Sequence, residues 1–306
     1  MDFGSVTLAG LRVVREIAER RTFSAAAVSL GYTQSAVSRQ VAAVERAAGA
    51  PVFERHRDGV RLTATGRVVL RHAAAVLDAI DAADRELRGL PAPTATVRLG
   101  AYPSAGAVLL PTALAALRRT QPGITVRTRD GSTPSLVRAL RAGSIDLAVV
   151  ASAPPFRAPD DESPALVVET LVERSLCVAV PATHALAAAD AVHVEDLRGE
   201  RWIAGRSAVD EHPLGVWPGL DGRPEVVHVA RDWLAKLRLV AAGHGLTTVP
   251  ADLAAAAPDG VRVLAVRGGS DERRRVIVAY LPGPQPEASG RVIDALRAAT
   301  AAPSST

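Results

Sequence analysis

The hydrophobic positions near the start of the chain follow the period of a helix. In TQSAVSRQVAAVERAAG, Val37, Val41 and Val44 recur at the i, i+4, i+7 spacing of a buried helix face. Thr33 suits the N-cap, because its hydroxyl can accept from free backbone N–H groups, and Gly49 suits the left-handed residue that ends a helix. The opposite face carries small or short polar side chains. This helix can therefore approach another surface closely.

The segment just before this helix predicts a shorter one. FSAAAVSLGY indicates an Ala-rich helix from about Ser24 to Leu30 that ends at Gly31, with only Tyr32 and Thr33 before the next start. Two helices joined by a short Gly-containing turn form a helix-turn-helix, whose second helix enters the major groove of DNA. A merely solvated polar face is the alternative for the second helix taken alone.

A hairpin is predicted directly downstream. PVFERHRDGVRLTATG alternates apolar and charged residues around Asp58-Gly59, and Asp-Gly between alternating runs is a strong hairpin signal. Arg55, Arg57 and Arg61 lie on or beside this hairpin. It therefore predicts a basic wing next to the second helix, with a solvated charged hairpin as the alternative.

Together these residues resemble the winged helix-turn-helix of LysR-type transcriptional regulators, over about the first fifth of the chain. Val44 and Val52 stand where Leu is more usual in that family. The positions that match the family pattern are Gln34, Ser35, Ser38, Arg39, Val44, Glu45, Gly49, Pro51, Phe53, Glu54, Arg55, Leu62, Thr63 and Gly66.

The resemblance implies double-stranded promoter DNA as a partner. We expect Ala42 to contact a thymine methyl, and the polar side chains around it to contact bases and phosphates. The expected DNA-binding residues are Thr33, Gln34, Ser35, Ser38, Arg39 and Ala42 on the helix, with Arg55, Arg57 and Arg61 on the flanking backbone.

Charge supports this assignment. The chain has 306 residues and a formal net charge of +4. Residues 1–67 contain ten arginines and six acidic residues, while the remaining 26 basic and 26 acidic residues cancel. Basic groups that contact phosphates release counterions and supply affinity without sequence information, so the whole excess lies where phosphate binding needs it.

A long helix is predicted from Ala64 to Arg88, with apolar residues at alternating steps of four and three. Burial of this seam against the chain's own domain is one interpretation. The family resemblance implies instead that the helix pairs with its copy, in a homodimer or homotetramer. The seam residues are Val69, Ala73, Val76, Ile80, Ala83 and Leu87.

Beyond a hinge in GLPAPTAT, Gly89 to Thr96, strands alternate with helices, which predicts doubly wound parallel sheets. ALRAGSIDLAVV, PATHALA and LVAAGHGLTTVP also resemble the family's regulatory domain. That resemblance implies two α/β lobes of the periplasmic-binding-protein type with a ligand cleft between them. We expect the chain to cross between the lobes near Pro164 and Gly269.

The expected fold class is therefore α/β, with a winged helix-turn-helix, a long linker helix and a two-lobed effector-binding domain. The predicted divisions are 1–63 for the DNA-binding domain, 64–93 for the linker and hinge, and 94–302 for the effector domain, with lobe I at about 94–163 and 270–302 and lobe II at about 164–269.

Ligands of such sheets collect beyond the carboxyl ends of strands, where helix N-termini favour anions. We expect a small effector there, for which a carboxylate is one candidate. The alternative is that Ser104, Ser132 and Thr133 only cap helices and that Arg206 is solvated. The candidate effector residues are Tyr102, Ser104, Ser132, Thr133, Ser152, Arg206, Thr247 and Thr248.

Catalytic, metal and cofactor sites are not expected. The histidines of the second half lie singly, without metal-ligand spacing or a nucleophile motif. Cys177 is the one cysteine, which excludes a disulfide within the chain, and its apolar surroundings in SLCVAV predict a buried thiol. These histidines are His184, His193, His212, His228 and His244.

Two other functions remain open: an architectural DNA-binding protein without an effector, and a small-molecule-binding or enzymatic α/β domain fused to a DNA-binding head. A regulator is favoured because an architectural protein does not need so large an α/β sensor. RNA polymerase is a possible further partner. The charged N-terminus and the lack of a stretch of about twenty apolar residues predict a cytoplasmic protein without a membrane partner.

Overall fold

The computed structural model describes residues 2–57, 59–88, 95–205, 215–220, 223–230, 232–268 and 272–301, without the side chains of Arg85 and Asp252. Asp58 of the predicted turn, positions 89–94 of the hinge, Arg206 and Gly269 lie outside these ranges. In the described part of the chain, no helix is long and apolar enough to cross a bilayer.

Three helices and a hairpin form the N-terminal head, and the second and third helices and the hairpin were predicted from turn and cap residues. Each helix is preceded by a threonine N-cap whose hydroxyl accepts from a backbone N–H of the first turn. These caps are Thr7, Thr22 and Thr33. The elements are α1 (Leu8–Arg20), α2 (Phe23–Leu30), α3 (Gln34–Ala48), β1 (Phe53–His56) and β2 (Gly59–Leu62).

The hairpin is fixed to the end of α1. β1 and β2 pair antiparallel, with Phe53 opposite Leu62 and His56 opposite Gly59. Val60 N donates to Arg21 O at 2.8 Å. Gly59 has φ +125°, and a Cβ there would overlap the Arg21 carbonyl oxygen. Only glycine therefore fits this turn, both conformationally and sterically.

A helix of 24 residues, α4 (Ala64–Leu87), follows the hairpin. The prediction of one continuous intersubunit seam along it is wrong at its first two positions. Val69 is buried against Val14, Val44 and Val52 of the head, and Ala73 lies in a cluster with Leu11 and Leu77. The seam residues that stay exposed are Val76, Ile80, Ala83 and Leu87.

Lobe I is a five-stranded sheet covered by helices on both faces. Its strand order is β4-β3-β5-β12-β6, parallel among β4, β3 and β5 and antiparallel at β12. Leu99 and Val149 pack towards α6 and α9, while Ala148 and Val150 pack towards α7. The elements are β3 (Ala95–Ala101), α5 (Pro103–Ala107), α6 (Leu109–Thr120), β4 (Ile124–Asp130), α7 (Thr133–Arg141), β5 (Leu147–Ser152), β6 (Val167–Pro181), β12 (Arg273–Tyr280) and α9 (Glu287–Ala301).

Lobe II differs from the predicted second parallel unit. Its sheet is built on β6, which pairs antiparallel with both β10 and β11, and parallel pairing is found at β7–β11 and β8–β9. The elements are β7 (Ala191–His193), β8 (Arg201–Ala204), β9 (Glu225–Val229), α8 (Trp233–Ala241), β10 (Thr247–Pro250) and β11 (Val261–Arg267), with short 3-10 turns between some of them.

The lobes are joined through β6, a single strand of 15 residues. Its first part, up to Ser175, pairs with β12 of lobe I, and its last part pairs with β11 of lobe II. Residues 167–175, which we expected in lobe II, therefore belong to the sheet of lobe I. The predicted crossing near Pro164 precedes this strand.

The head also packs against lobe I, a contact that the sequence did not predict. Arg98 of β3 binds Asp146 at 2.6 Å and Asp78 of α4 at 2.9 Å. Arg138 Nε donates to Glu19 O of α1 at 2.9 Å. These contacts hold α1, α4 and lobe I together around a polar cavity of about 380 Å³.

Candidate nucleic-acid interface and effector cleft

The outer face of α3 is polar and uncrowded. Val37, Val41 and Val44 point into the head, so Ser38 and Arg39 are left exposed on the opposite side. Arg39 makes no hydrogen bond or ion pair with the described residues, and its guanidinium is therefore available to an external acceptor. The face is therefore accessible, and its role in reading DNA stays a prediction.

The first residues of α3 are held in place by short-range hydrogen bonds. The Thr33 hydroxyl accepts from Ala36 N at 3.2 Å and lies 3.0 Å from Ser35 Oγ. Gln34 Oε1 accepts from Ser24 Oγ of α2 at 3.2 Å. These bonds fix the start of α3 relative to α2, which leaves Thr33 engaged as the cap.

The hairpin presents its arginines in two directions. Arg55 and Arg57 are exposed and form no ion pair with the part of the chain that is described. Arg61 instead lies 4.0 Å from Asp161 of the effector domain, and its side chain is only 28% exposed. The prediction that all three grip DNA phosphates does not fit Arg61 in this arrangement, because a carboxylate already faces it.

Replacing Arg55 by Ala should weaken DNA binding and lower the slope of log affinity against log salt by about one, because each phosphate contact releases about one counterion. Arg61→Ala is the matched control, and its slope should equal that of the wild type. The measurement is a fluorescence anisotropy titration at four salt concentrations. Equal slopes for Arg55→Ala and the wild type would remove Arg55 from the phosphate contacts.

The candidate effector residues of lobe I do gather beyond the carboxyl ends of its parallel strands. Tyr102 follows β3 and Ser152 ends β5, while Ser132 and Thr133 follow β4. Ser104, at 7% exposure, is buried. This edge is therefore polar, as predicted from the strand order.

Capping does not explain the side chains at this edge. Ser132 is the N-cap residue of α7, yet its side chain makes no capping hydrogen bond. Thr133 Oγ1 donates weakly to Ala151 O at 3.5 Å. The alternative that Ser132 serves only as a cap is thus not supported by the structure.

The two threonines predicted from lobe II are more enclosed than expected. Thr247 is fully buried, and its hydroxyl donates to Ile203 O at 2.8 Å. Thr248 is 6% exposed, and its backbone N–H donates to Gly215 O at 2.9 Å. Thr247 therefore forms part of the wall of lobe II, with its hydroxyl directed into the protein.

Lys236 was missed by the sequence reasoning. It is 4% exposed, on the inner face of α8, and its Nζ lies 4.4 Å from the centroid of the Trp233 ring. Burial lowers the pKa of its ammonium group to about 8. Two sequence signals could have found it: Lys236 is the only lysine in the chain, and its spacing from Trp233 and Val240 places it on the apolar side of α8.

Family models match most of the chain. "Bacterial regulatory helix-turn-helix protein, lysR family" matches residues 8–67, and "LysR substrate binding domain" matches residues 92–301. A probable hydrogen peroxide-inducible genes activator of Mycobacterium xenopi is 40% identical over 146 residues, which span 47% of this chain and 77% of that protein. The transcriptional dual regulator GltC of Bacillus subtilis is 31% identical over 78% of this chain and 79% of its own length.

Solved structures share the fold. A full-length OxyR variant from Pseudomonas aeruginosa superposes with a TM-score of 0.58 at 23% identity, over 96% of this chain and 94% of that chain. Full-length CbnR in complex with its target DNA gives a TM-score of 0.52 at 21% identity, over 96% of this chain and 99% of that chain. The solved structures show the fold, while the family models and the curated relatives agree with the expectation of a transcriptional regulator. The chain belongs to the LysR family of bacterial regulatory helix-turn-helix proteins.

Proposed function

We propose that this protein binds promoter DNA sequence-specifically through α3 and the hairpin, and that a small effector in the cleft of its two-lobed domain controls that binding. The observation that carries the proposal is the bare, exposed face of α3 beside Arg55 and Arg57, joined by one long helix to a two-lobed domain. The family match supports both halves of it.

In the proposed complex, Ser35, Ser38 and Arg39 face the major groove, with Ala42 against a thymine methyl. Gln34 lies beside them, while Thr33 orients the helix through its cap. Arg55 and Arg57 contact the flanking phosphates. Among the described residues of the hairpin the one carboxylate is Glu54, on the face opposite to that of Arg55.

A second copy of the chain is the proposed partner of α4. Val76, Ile80 and Leu87 are 42%, 39% and 88% exposed. They form an exposed apolar stripe, whose burial in an interface is favourable. Pairing of two such stripes would place two α3 helices on one rigid dimer, and such a dimer reads two half-sites of a partial palindrome. A homotetramer and contact with RNA polymerase are extensions of the same assembly, which we place in the cytoplasm.

The effector is proposed to be a small molecule that contacts Tyr102, Ser152 and the neighbouring hydroxyl groups of lobe I, with Arg206 outside the described residues. The similarity to peroxide-inducible activators does not extend to a disulfide within this chain, because Cys177 is its one cysteine and is buried. A ligand can shift the arrangement of the lobes only if it binds one arrangement better than the other.

Replacing Arg39 by Ala should weaken binding to the fragment upstream of the protein's own coding region by about 1–3 kcal/mol, because a base-reading contact is lost. Arg118→Ala, on the exposed face of α6, is the matched control and should bind like the wild type. A mobility-shift titration at fixed salt measures both. Unchanged affinity for Arg39→Ala would show that α3 is not docked as proposed.

An architectural DNA-binding protein is distinguished by the same titration. It would bind the upstream fragment and a shuffled fragment of equal length and composition equally well, since its affinity comes from the backbone. A strong preference for the upstream fragment supports the regulator.

A further inference from the structure

Lobe I contacts its own DNA-binding head through the C-terminal end of α7. Ala142, the C-cap residue of α7, is fully buried in an apolar cluster that contains Val14 and Val44 of the head. The next residue, Gly143, comes so close to α4 that a Cβ on it would lie 3.2 Å from the Cβ of Ala74. Lobe I therefore completes part of the apolar core of the head.

An acidic segment of lobe I, residues 160–162, lies against the hairpin side of the head. The Glu162 carboxylate accepts from Arg21 Nη2, and the Asp161 carboxylate lies 4.0 Å from the Arg61 guanidinium. Arg21 also holds the hairpin turn, because its carbonyl oxygen accepts from a backbone N–H of β2 at 2.8 Å. Two carboxylates thus lie against the two arginines that flank this turn.

The acidic segment is held in place by Arg141, the last residue of α7. Its guanidinium donates to both carboxylate oxygens of Asp160, each at 2.9 Å, and to the carbonyl oxygens of Glu162 and Pro164 at 3.0 and 2.6 Å. The side chains of Arg141 and Asp160 are only 8% and 13% exposed, so this bidentate pair is shielded from water and orders the segment. The end of α7 therefore positions both the buried Ala142 and the carboxylates that face the head.

The helix α7 connects this contact to the candidate effector residues. It begins at Ser132 and Thr133, on the polar edge of lobe I, and it ends at Arg141 and Ala142, against the head. The acidic segment likewise follows Ser152, the residue that ends β5 at the same edge. Because a short helix moves as a rigid element, a ligand that displaces its first turn also displaces its last one.

The contact between lobe I and the head is incompletely satisfied. Arg138 Nε donates to Glu19 O, but burial and the nearby charge of Arg21 both lower the pKa of Arg138. Arg21 Nη1 is buried without a hydrogen-bond partner among the described residues. Repulsion between two guanidinium groups and an unpaired buried nitrogen both disfavour the docked arrangement. The domains can therefore separate at modest cost, as is common for interfaces between domains.

We propose that docking of lobe I on its own head is an autoinhibitory contact, in which Asp161 and Glu162 occupy two arginines, Arg61 and Arg21, that bind DNA phosphates once lobe I is released. The inference rests on the proposed function, because it describes how the effector domain regulates the same DNA-binding surface. The docked protein still presents α3, but it makes fewer phosphate contacts and holds two carboxylates near the DNA backbone. A ligand at the start of α7 would bias the two arrangements.

Docking can be captured chemically because Lys236 is the only lysine of the chain. The Arg21→Lys protein keeps the positive charge, and a carbodiimide joins an amine to a paired carboxylate as an amide, while the carboxylate oxygen leaves with the reagent as a urea. We expect mass spectrometry to find an amide between position 21 and Glu162 within one chain. The wild type, treated identically, is the control. An amide between two chains, or none to Glu162 or Asp161, would overturn docking within the chain.

The Ala142→Gln variant releases lobe I without changing any charge, because the longer side chain does not fit the buried space. We expect its binding to the upstream DNA fragment to be about tenfold tighter than that of the wild type. The slope of log affinity against log salt should be steeper by about one to two, since Arg21 and Arg61 gain phosphate partners. Ala298→Gln, on the exposed side of α9, is the matched control and should bind like the wild type.

A second variant, Glu162→Gln, removes the partner of Arg21 and should also bind more tightly. Its control is Glu287→Gln, which removes one negative charge from α9, away from the head. Failure of either release variant to bind more tightly than its control would overturn autoinhibition. Should circular dichroism show that Ala142→Gln unfolds the head, Glu162→Gln decides alone. Undiminished amide formation after Ala142→Gln is added to Arg21→Lys would show that Ala142 does not hold the contact.

The DNA-binding proposal is tested separately, by the preference of the wild type for the upstream fragment over a shuffled one. Loss of that preference would overturn the proposed function, whereas the amide between position 21 and Glu162 forms without DNA. Sequence-specific binding that neither release variant strengthens would overturn only the autoinhibitory contact.

Discussion

Replacement of Gly66 by alanine is expected to lower the free energy of unfolding of the DNA-binding head by about 3 kcal/mol and to abolish operator binding, because overpacking against rigid backbone cannot relax cheaply. Gly66 lies in the first turn of α4, and a Cβ there would overlap the carbonyl oxygen of Val52. The same turn is fixed by Thr63, whose N–H donates to Val52 O at 3.0 Å. The start of α4 and the segment that leads into β1 therefore cannot separate without breaking this hydrogen bond.

Gly290→Ala is the matched control for this substitution. Gly290 lies within α9, and a Cβ there would meet nothing within 4 Å. Alanine should therefore stabilise the protein by about 0.5–1 kcal/mol, since glycine is entropically costly inside a helix. Urea unfolding followed by circular dichroism measures both variants. Equal stability of Gly66→Ala and Gly290→Ala would contradict the described packing of α4 on the head.

Replacement of Lys236 by methionine is expected to raise the free energy of unfolding by about 2 kcal/mol at pH 7. The pKa of Lys236 falls from 10.5 to about 8 on burial, which corresponds to a penalty of about 3 kcal/mol on the charged form. Methionine fills a similar volume without the charge. Loss of the cation–π contact with the Trp233 ring lowers the stability by about 1 kcal/mol and so offsets part of this gain.

The gain should depend on pH in one direction. The folded-state pKa of Lys236 is lower than the unfolded one, so the unfolded chain binds more protons between about pH 8 and 10.5. The wild type therefore becomes more stable relative to the variant as the pH rises through that window, and the difference shrinks. Urea titrations at pH 7 and pH 10 measure it. A variant less stable than the wild type at pH 7 would show that Lys236 is not an uncompensated charge.

The DNA-binding head could be predicted almost completely because its signals are local. The cap at Thr33, the glycine that ends α3 and the apolar period of Val37, Val41 and Val44 lie within one helix. The Asp-Gly signal at positions 58 and 59 predicts the pairing of β1 with β2 in the same way. Such patterns depend on neighbours within a few residues, so the sequence alone suffices.

The parts that failed depend on contacts between distant segments. The seam of α4 has the same period whether a partner or the head covers it, and Val69 is covered by the head. Arg61 was read as a phosphate ligand because nothing in its local sequence reveals Asp161, one hundred positions away. The burial of Lys236 was overlooked for the same reason, since it packs close to Gly215 and Thr247, which are distant in the sequence.

The most direct test of the central claim is a fluorescence anisotropy titration of the purified full-length protein with the DNA fragment upstream of its coding region. The comparison is a shuffled fragment of equal length and composition at the same ionic strength. The proposed α3 contacts predict binding about a thousandfold tighter to the upstream fragment. Equal affinity for both fragments would contradict sequence-specific DNA recognition by this protein.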